Sequence, residues 1–431
     1  MGTLTTRRQD VRSRVVRLLL SDRWAAGPTL LSTLASGTAA ATTLVIARGT
    51  SAAAFGHFSL VMSIALIVSI GMLMSLHYVM LQELPRADPG ARPALVTTAL
   101  FATLAMGAGL AVLVVPVSPF LAAALGTDAE AVYFALALAL ALTLNQLTES
   151  FLRGLAKYAF VAALKLAVAA IYLAVSVFSL LVLDIRDAEY YLTALIVTYI
   201  GFTLVAAAGL PVVPRSWSPA LVRSLYRHGA YVTVIAALTG VLFGIDVIFL
   251  NHWAEPADVG VYAVYSGFPR RLLGVVFVEG IGLALFPTLA TMDKPALLRR
   301  VARIAAIAGA ATAVLLFAAS AVFFLLMREH YPYSLTLMAL SAAGIGAHAV
   351  FHLYYAALSM DGVRGAKVLI ACLAVGAPVA LAGQVVCVAW WGLAGSLVGF
   401  VLTNLVLVAV VAITAGRVYR RLGTRVSETR S

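Results

Sequence analysis

The feature that most constrains this chain is the recurrence of apolar runs, each long enough to cross a bilayer and separated from the next by a short polar turn. A helix of about 20 apolar residues covers a hydrocarbon core of ~30 Å. Twelve such runs can be counted, at roughly 25–47, 55–81, 94–115, 130–152, 159–183, 189–211, 229–252, 259–288, 297–327, 333–358, 366–389 and 391–415. Charged residues make up 11% of the 431-residue sequence, against about 25% in a soluble domain. The chain therefore reads as a polytopic membrane protein.

A formal charge of +12 would suggest nucleic acid until the basic residues are placed. Twenty-five of the thirty fall in the segments on the side of the N-terminus, and three (Arg48, Arg186 and Arg328) on the other. Lys and Arg concentrate in cytoplasmic segments because they resist translocation, so the charge is topogenic and no nucleic-acid partner is expected. An even number of spans puts both termini in the cytoplasm. Residues 1–24 form a basic, amphipathic segment suited to an anionic leaflet and the headgroups of membrane lipids. They lack the short apolar core and small-residue cleavage site of a signal peptide. Cys372 and Cys387 share one apolar run fifteen residues apart, ~22 Å along a helix, too far for a disulfide. There is no phosphate-loop motif, and the dipeptide Gly-Lys is absent, so no ATPase resides in the chain.

A shift of 204 residues lays Arg23, Ala26, Thr29 and Leu34 on Arg227, Ala230, Thr233 and Leu238, and Phe55-Gly56-His57-Phe58 on Val259-Gly260-Val261-Tyr262. A shift of 202 lays Arg92-Pro93-Ala94-Leu95 on Lys294-Pro295-Ala296-Leu297. Three anchors in one order indicate a duplication. The repeat is six spans, an even number, so the halves insert in the same orientation. The expected fold is all-α, with about twelve transmembrane helices in two parallel six-helix bundles around a central cleft. Residues 25–211 and 229–415 would be the bundles, 212–228 a cytoplasmic interfacial linker lying flat on the membrane, and 416–431 a basic cytoplasmic tail.

The residues LVIARGTSAAAFGHFSL at 44–60, DVIFLNHWAEPADVGVYAVY at 246–265 and FLRGLAKY at 151–158 carry a resemblance. Together with the two sixes, they make the chain similar to the multidrug/oligosaccharidyl-lipid/polysaccharide exporter superfamily, and within it to the polysaccharide (O-antigen-type) flippase branch. That resemblance implies a flippase of the bacterial inner membrane, moving a polyprenyl-diphosphate-linked oligosaccharide from the cytoplasmic to the outer leaflet by alternating access. A polysaccharide polymerase and glycosyltransferases would be its working partners.

The sharpest site signal is Arg270-Arg271, preceded by Pro269 and about eleven residues into its span, hence ~16 Å deep at 1.5 Å per residue. A charge at that depth costs roughly 2.5–3.5 kcal/mol even on lenient insertion scales. Two readings stand: a guanidinium fork for the substrate diphosphate, or a static ion pair with Asp246 on the preceding span. Asp246 is also a candidate H+ or Na+ site, although a neighbouring arginine would hold it ionised. Glu279 either lines the same cavity or sits in a solvated vestibule. Glu149 and Lys165, near Asn145 and Gln146, form either an inner gate or an interfacial pair in which Glu149 bonds Arg153 at i+4. His348 and His352 have zincin spacing but carry Ala349 where the base would be, and no third ligand is evident. No metal or cofactor is expected, and His348 reads as a cleft-lining, substrate-facing residue. Gly395 and Gly399 suggest a close helix crossing.

Two other functions compete with the flippase. An ion-coupled drug antiporter of the same superfamily predicts an acidic, aromatic cavity. A membrane glycosyltransferase or ligase needs a sizeable outer loop, and the longest one, near 116–129, is too short for a catalytic domain. The chain is accordingly read as a transporter and not an enzyme.

Overall fold

The computed structural model describes residues 23–267, 269–270, 273, 294–326, 331–359 and 361–428. The regular structure among them is helical throughout. The first repeat contributes α1 (Arg23–Gly49), α2 (Ala52–Leu73), α3 (Leu76–Arg86), α4 (Arg92–Leu125), α5 (Ala129–Gly154), α6 (Tyr158–Leu181) and α7 (Ala188–Ala208). The second contributes α8 (Pro219–Trp253), α9 (Pro256–Tyr262), α10 (Lys294–Leu326), α11 (Leu335–Ser359) and α12 (Gly362–Glu428). Among the described residues, ten helices are long and apolar enough to cross a membrane. One of them, α12, is two spans joined at Gly392, whose φ of 52° and ψ of −124° lie outside helical geometry. Only glycine takes such a backbone without strain.

Element boundaries repeat at the interval that the sequence shift suggested. The helix ends Gly49 and Trp253 lie 204 residues apart, as do the starts Ala52 and Pro256 and the starts Tyr158 and Gly362. The Gly392 break falls 204 residues after Ala188, the first residue of α7.

Two expectations need correction. The span at 55–81 is broken, because Met74 and Ser75 both take left-handed φ (41° and 57°) and separate α2 from α3. No glycine or proline marks the break. Its carbonyl side is accommodated by Gly229, where an added Cβ would sit 3.0 Å from the Met74 oxygen. The segment at 219–228, expected to lie flat, is instead the opening of α8, which runs unbroken for 35 residues. Pro219 at its first turn is compatible with a helix start, and Leu225 is buried with Leu73, Leu76 and Val79. That burial holds the segment against α2 and α3.

Helices in lipid associate by close packing rather than by hydrophobic exclusion. Small residues therefore mark the tightest contacts. At Gly309 and Gly346, α10 crosses α11 so closely that a Cβ on Gly346 would sit 2.6 Å from the Gly309 oxygen. Gly395 and Gly399 pack the second limb of α12 onto the Cys387 backbone and Gln384 of the first, as their spacing suggested.

The two repeats meet in a reciprocal contact. A Cβ on Gly56 would overlap the Pro256 carbonyl oxygen, and one on Gly260 would overlap the Ala52 carbonyl oxygen. Gly56 and Gly260 are repeat equivalents, and so are Ala52 and Pro256, so a pseudo-two-fold axis passes between them. At the same end Tyr331 Oη donates to the Ala47 carbonyl (2.8 Å) and Asn251 Nδ2 to the Gly126 carbonyl (2.8 Å). Phe55, Phe58, Val259, Tyr262 and Tyr265 share one buried cluster there.

Candidate functional site

Proline decides the local structure at the head of the site. Pro269 has no N–H, and its ring crowds the carbonyl four residues back. That carbonyl belongs to Tyr265, and it accepts a hydrogen bond from Ser341 Oγ on α11 instead. The residues before the proline, Ala263–Gly267, form a single π-turn, a wide turn often found at functional sites.

Beyond it, Arg270 turns into the second bundle. It is ion-paired with Asp246 of α8, which is 1% exposed. The Tyr262 hydroxyl donates to the same carboxylate oxygen. Arg270 Nη2 also donates to Tyr262 Oη (2.8 Å) and Nη1 to the Phe243 carbonyl (2.8 Å). The Val247 amide donates to the second Asp246 oxygen (2.9 Å). The guanidinium carbon lies 3.8 Å from the centroid of Phe400, a desolvated cation–π contact. The geometry thus places Arg270 in the static-pair arrangement, with both terminal nitrogens committed to protein acceptors. Arg271 and Glu279 lie outside the described residues.

Phe243 and Phe400 separate this pair from a second polar group. His348 is 7% exposed and sits edge-on to Phe243 with ring centroids 4.4 Å apart. Its Nδ1 lies 2.8 Å from Asn404 Oδ1, and its Nε2 lies 3.0 Å from His352 Nε2. Sequence reasoning singled out His348 and missed Tyr262, Phe243, Phe400 and Asn404. The repeat held a usable signal. Counted 204 residues back, Asp246, Tyr262 and Arg270 fall on Thr42, Phe58 and Leu66. Asp246 and Arg270 thus carry charge where the first half has the uncharged Thr42 and Leu66.

The first bundle has its own polar group. Glu149 accepts from Arg153 Nη2 at 2.5 Å and lies 3.4 Å from Lys165 Nζ. The i+4 bond and the contact between helices exist together. Glu149 and Lys165, with Asn145, Gln146, Tyr172 and Tyr199, line a cavity of about 260 Å³ between α1, α5, α6 and α7. Among the described residues no group of three or more His, Cys, Asp or Glu side chains could hold a metal ion.

Two repeats of membrane-length helices meet across a pseudo-two-fold, with the buried Asp246 paired in the second and the partly buried Glu149 paired in the first, and together they define a two-bundle polytopic helical fold. No protein-family model matches the chain, and no curated protein does. Solved structures do match. An inward-facing multidrug resistance MATE family transporter of the MOP superfamily aligns over 94% of this chain and 96% of its own, with a TM-score of 0.66 and 16% identity. An outward-facing one aligns over 93% and 96%, with a TM-score of 0.63 and 15% identity. A MOP superfamily transporter from Pyrococcus furiosus, described by reverse polarity of its binding pocket, aligns over 94% and 99%, with a TM-score of 0.59 and 16% identity. The chain is a multi-pass membrane protein with the fold of the MOP superfamily transporters.

Proposed function

We propose that this protein is an inner-membrane flippase for a lipid-linked, anionic oligosaccharide carrier, the polyprenyl diphosphate that the sequence resemblance implies. One observation carries the reading. Two carboxylates among the described residues lie inside the spans and beyond the first turn of their helices, and each is paired with arginine: Glu149 with Arg153 and Asp246 with Arg270. A carrier of organic cations needs a carboxylate free to meet its cargo, because an unpaired cation in the bilayer is costly. An anionic cargo needs the opposite, a cleft whose acidic groups are already neutralised.

Arg270 is engaged by Asp246, so the substrate contact is proposed for Arg271, with Glu279 and His348 at its margins. Glu149 and Lys165 would form the gate. The termini would face the cytoplasm, and the end sealed by Gly56 and Gly260 would face out. The chain itself would perform no catalysis, and a polymerase and glycosyltransferases would act on the cargo before and after it.

A second reading, the ion-coupled drug antiporter, is favoured by the names of the matching structures, which are multidrug resistance transporters. Complementation separates the two. Expression in a strain lacking its oligosaccharide flippase should restore surface polysaccharide, and Arg271→Ala should abolish that rescue while Arg271→Lys keeps part of it. Efflux of organic cations from a drug-sensitive strain, without polysaccharide rescue, would instead establish the antiporter.

A further inference from the structure

The reading above places His348 at the margin of the cleft and gives no protonation role to the pair of imidazoles on α11, His348 and His352. Their hydrogens can be assigned from their neighbours. Asn404 Nδ2 donates to the Phe400 carbonyl (2.8 Å), which leaves Asn404 Oδ1 as an acceptor for His348 Nδ1–H. His348 Nε2 must then accept, and His352 Nε2–H is its donor. Both rings are neutral in this arrangement, and a single hydrogen lies between the two facing nitrogens.

We propose that His348 and His352 form a proton-binding dyad that takes up one proton as a unit and thereby switches the charge of the second bundle's interior. A proton arriving at His352 Nδ1 can be passed on by moving the bridging hydrogen from His352 Nε2 to His348 Nε2. His348 is then an imidazolium held by Asn404, and His352 is neutral again with its hydrogen on Nδ1. A second proton would set two N–H groups against each other, so the dyad holds one. His352 is partly exposed and His348 buried, which orders entry and storage.

The surroundings leave the dyad as the group free to change charge here. From α8 and the span after it come Asp246 and Arg270, already paired. From α12 come Asn404 and Phe400, and from α11 itself comes Tyr355, with its ring 6.1 Å from His352. Gly309 and Ala313 of α10 meet α11 at Gly346 and bring no charge. The Asp246–Arg270 pair sums to zero, so one proton on the dyad makes this wall cationic. In low dielectric that charge is felt across the Phe400 ring.

The test needs no substrate, so it can fail or succeed independently of the flippase reading. Histidine-selective 15N NMR of the protein in nanodiscs, titrated between pH 5 and 9, should show two coupled imidazoles taking up one proton between them. His352→Gln should abolish that uptake at His348. Should His352→Gln not give a monodisperse protein, Asn404→Asp serves instead. A carboxylate at the Nδ1 acceptor should move the midpoint up by about one to three pH units. Two independent one-proton titrations, or no uptake by either ring across the range, would overturn the proposal.

Discussion

Arg270 shows how a membrane-embedded charge is made tolerable. Its two terminal nitrogens are taken up by Asp246, Tyr262 and the Phe243 carbonyl, with Phe400 beneath the guanidinium, while Nε has no acceptor among the described residues. Removing one partner of a buried pair leaves the other uncompensated, a loss of roughly 3–5 kcal/mol. Arg270→Ala should therefore lower the thermal stability seen by size-exclusion chromatography, and Arg270→Ala with Asp246→Ala should recover most of it. A single variant as stable as the parent would show that the pair does not hold the fold. Glu149 differs because it meets two cations, Arg153 and Lys165, at once. Reversing Glu149 to lysine should impair transport, and adding Lys165→Glu should restore part of it. A double variant no better than the worse single would leave the pair a merely interfacial one.

Among the elements, the π-turn before Pro269 and the glycine seal each depend on a neighbour. Ser341 replaces the helix donor that Pro269 removes from the Tyr265 carbonyl. Ser341→Ala should cost about 1–3 kcal/mol, the penalty for a buried acceptor left without its partner. Pro269→Ala in the same background should return an N–H and recover stability. A Ser341→Ala loss that Pro269→Ala does not reduce would break that link. The seal rests on space: Gly260→Leu cannot be accommodated against the Ala52 carbonyl, because packed interfaces do not yield by this much. Spin labels at Thr127 and Asp258, in a background without Cys372 and Cys387, should report a distance increased by several ångströms. An unchanged distance would mean that this contact does not close that end.

For the whole molecule, the asymmetry of the basic residues predicts which side faces the cytoplasm. Cysteines at Asp128 and Asp258 should react with impermeant thiol reagents on intact cells, and cysteines at Arg223 and Ser427 should not. Labelling of the second pair alone would invert the orientation.

The apolar runs, their number and their duplication determine an all-helical polytopic protein, because spanning length and backbone satisfaction in lipid admit few alternatives. The twelve runs, the repeat of 204 residues and the glycine crossing at Gly395 and Gly399 were all legible from spacing alone. Pro269 marks the irregular turn before Arg270, because it has no N–H to close the helix there. What the linear order could not contain is which side chains meet. The break at Met74 and Ser75 depends on α8 packing against their backbone, and no residue there favours it. Whether Arg270 faces cargo or Asp246 is a question of rotation about a helix, and the π-turn sets that rotation. Asn404 is an unremarkable amide until α12 folds back at Gly392 and places it 2.8 Å from His348. Only tertiary structure decided these pairings, because burying a charge or a hydrogen-bonding group is tolerable solely where a distant element supplies its partner.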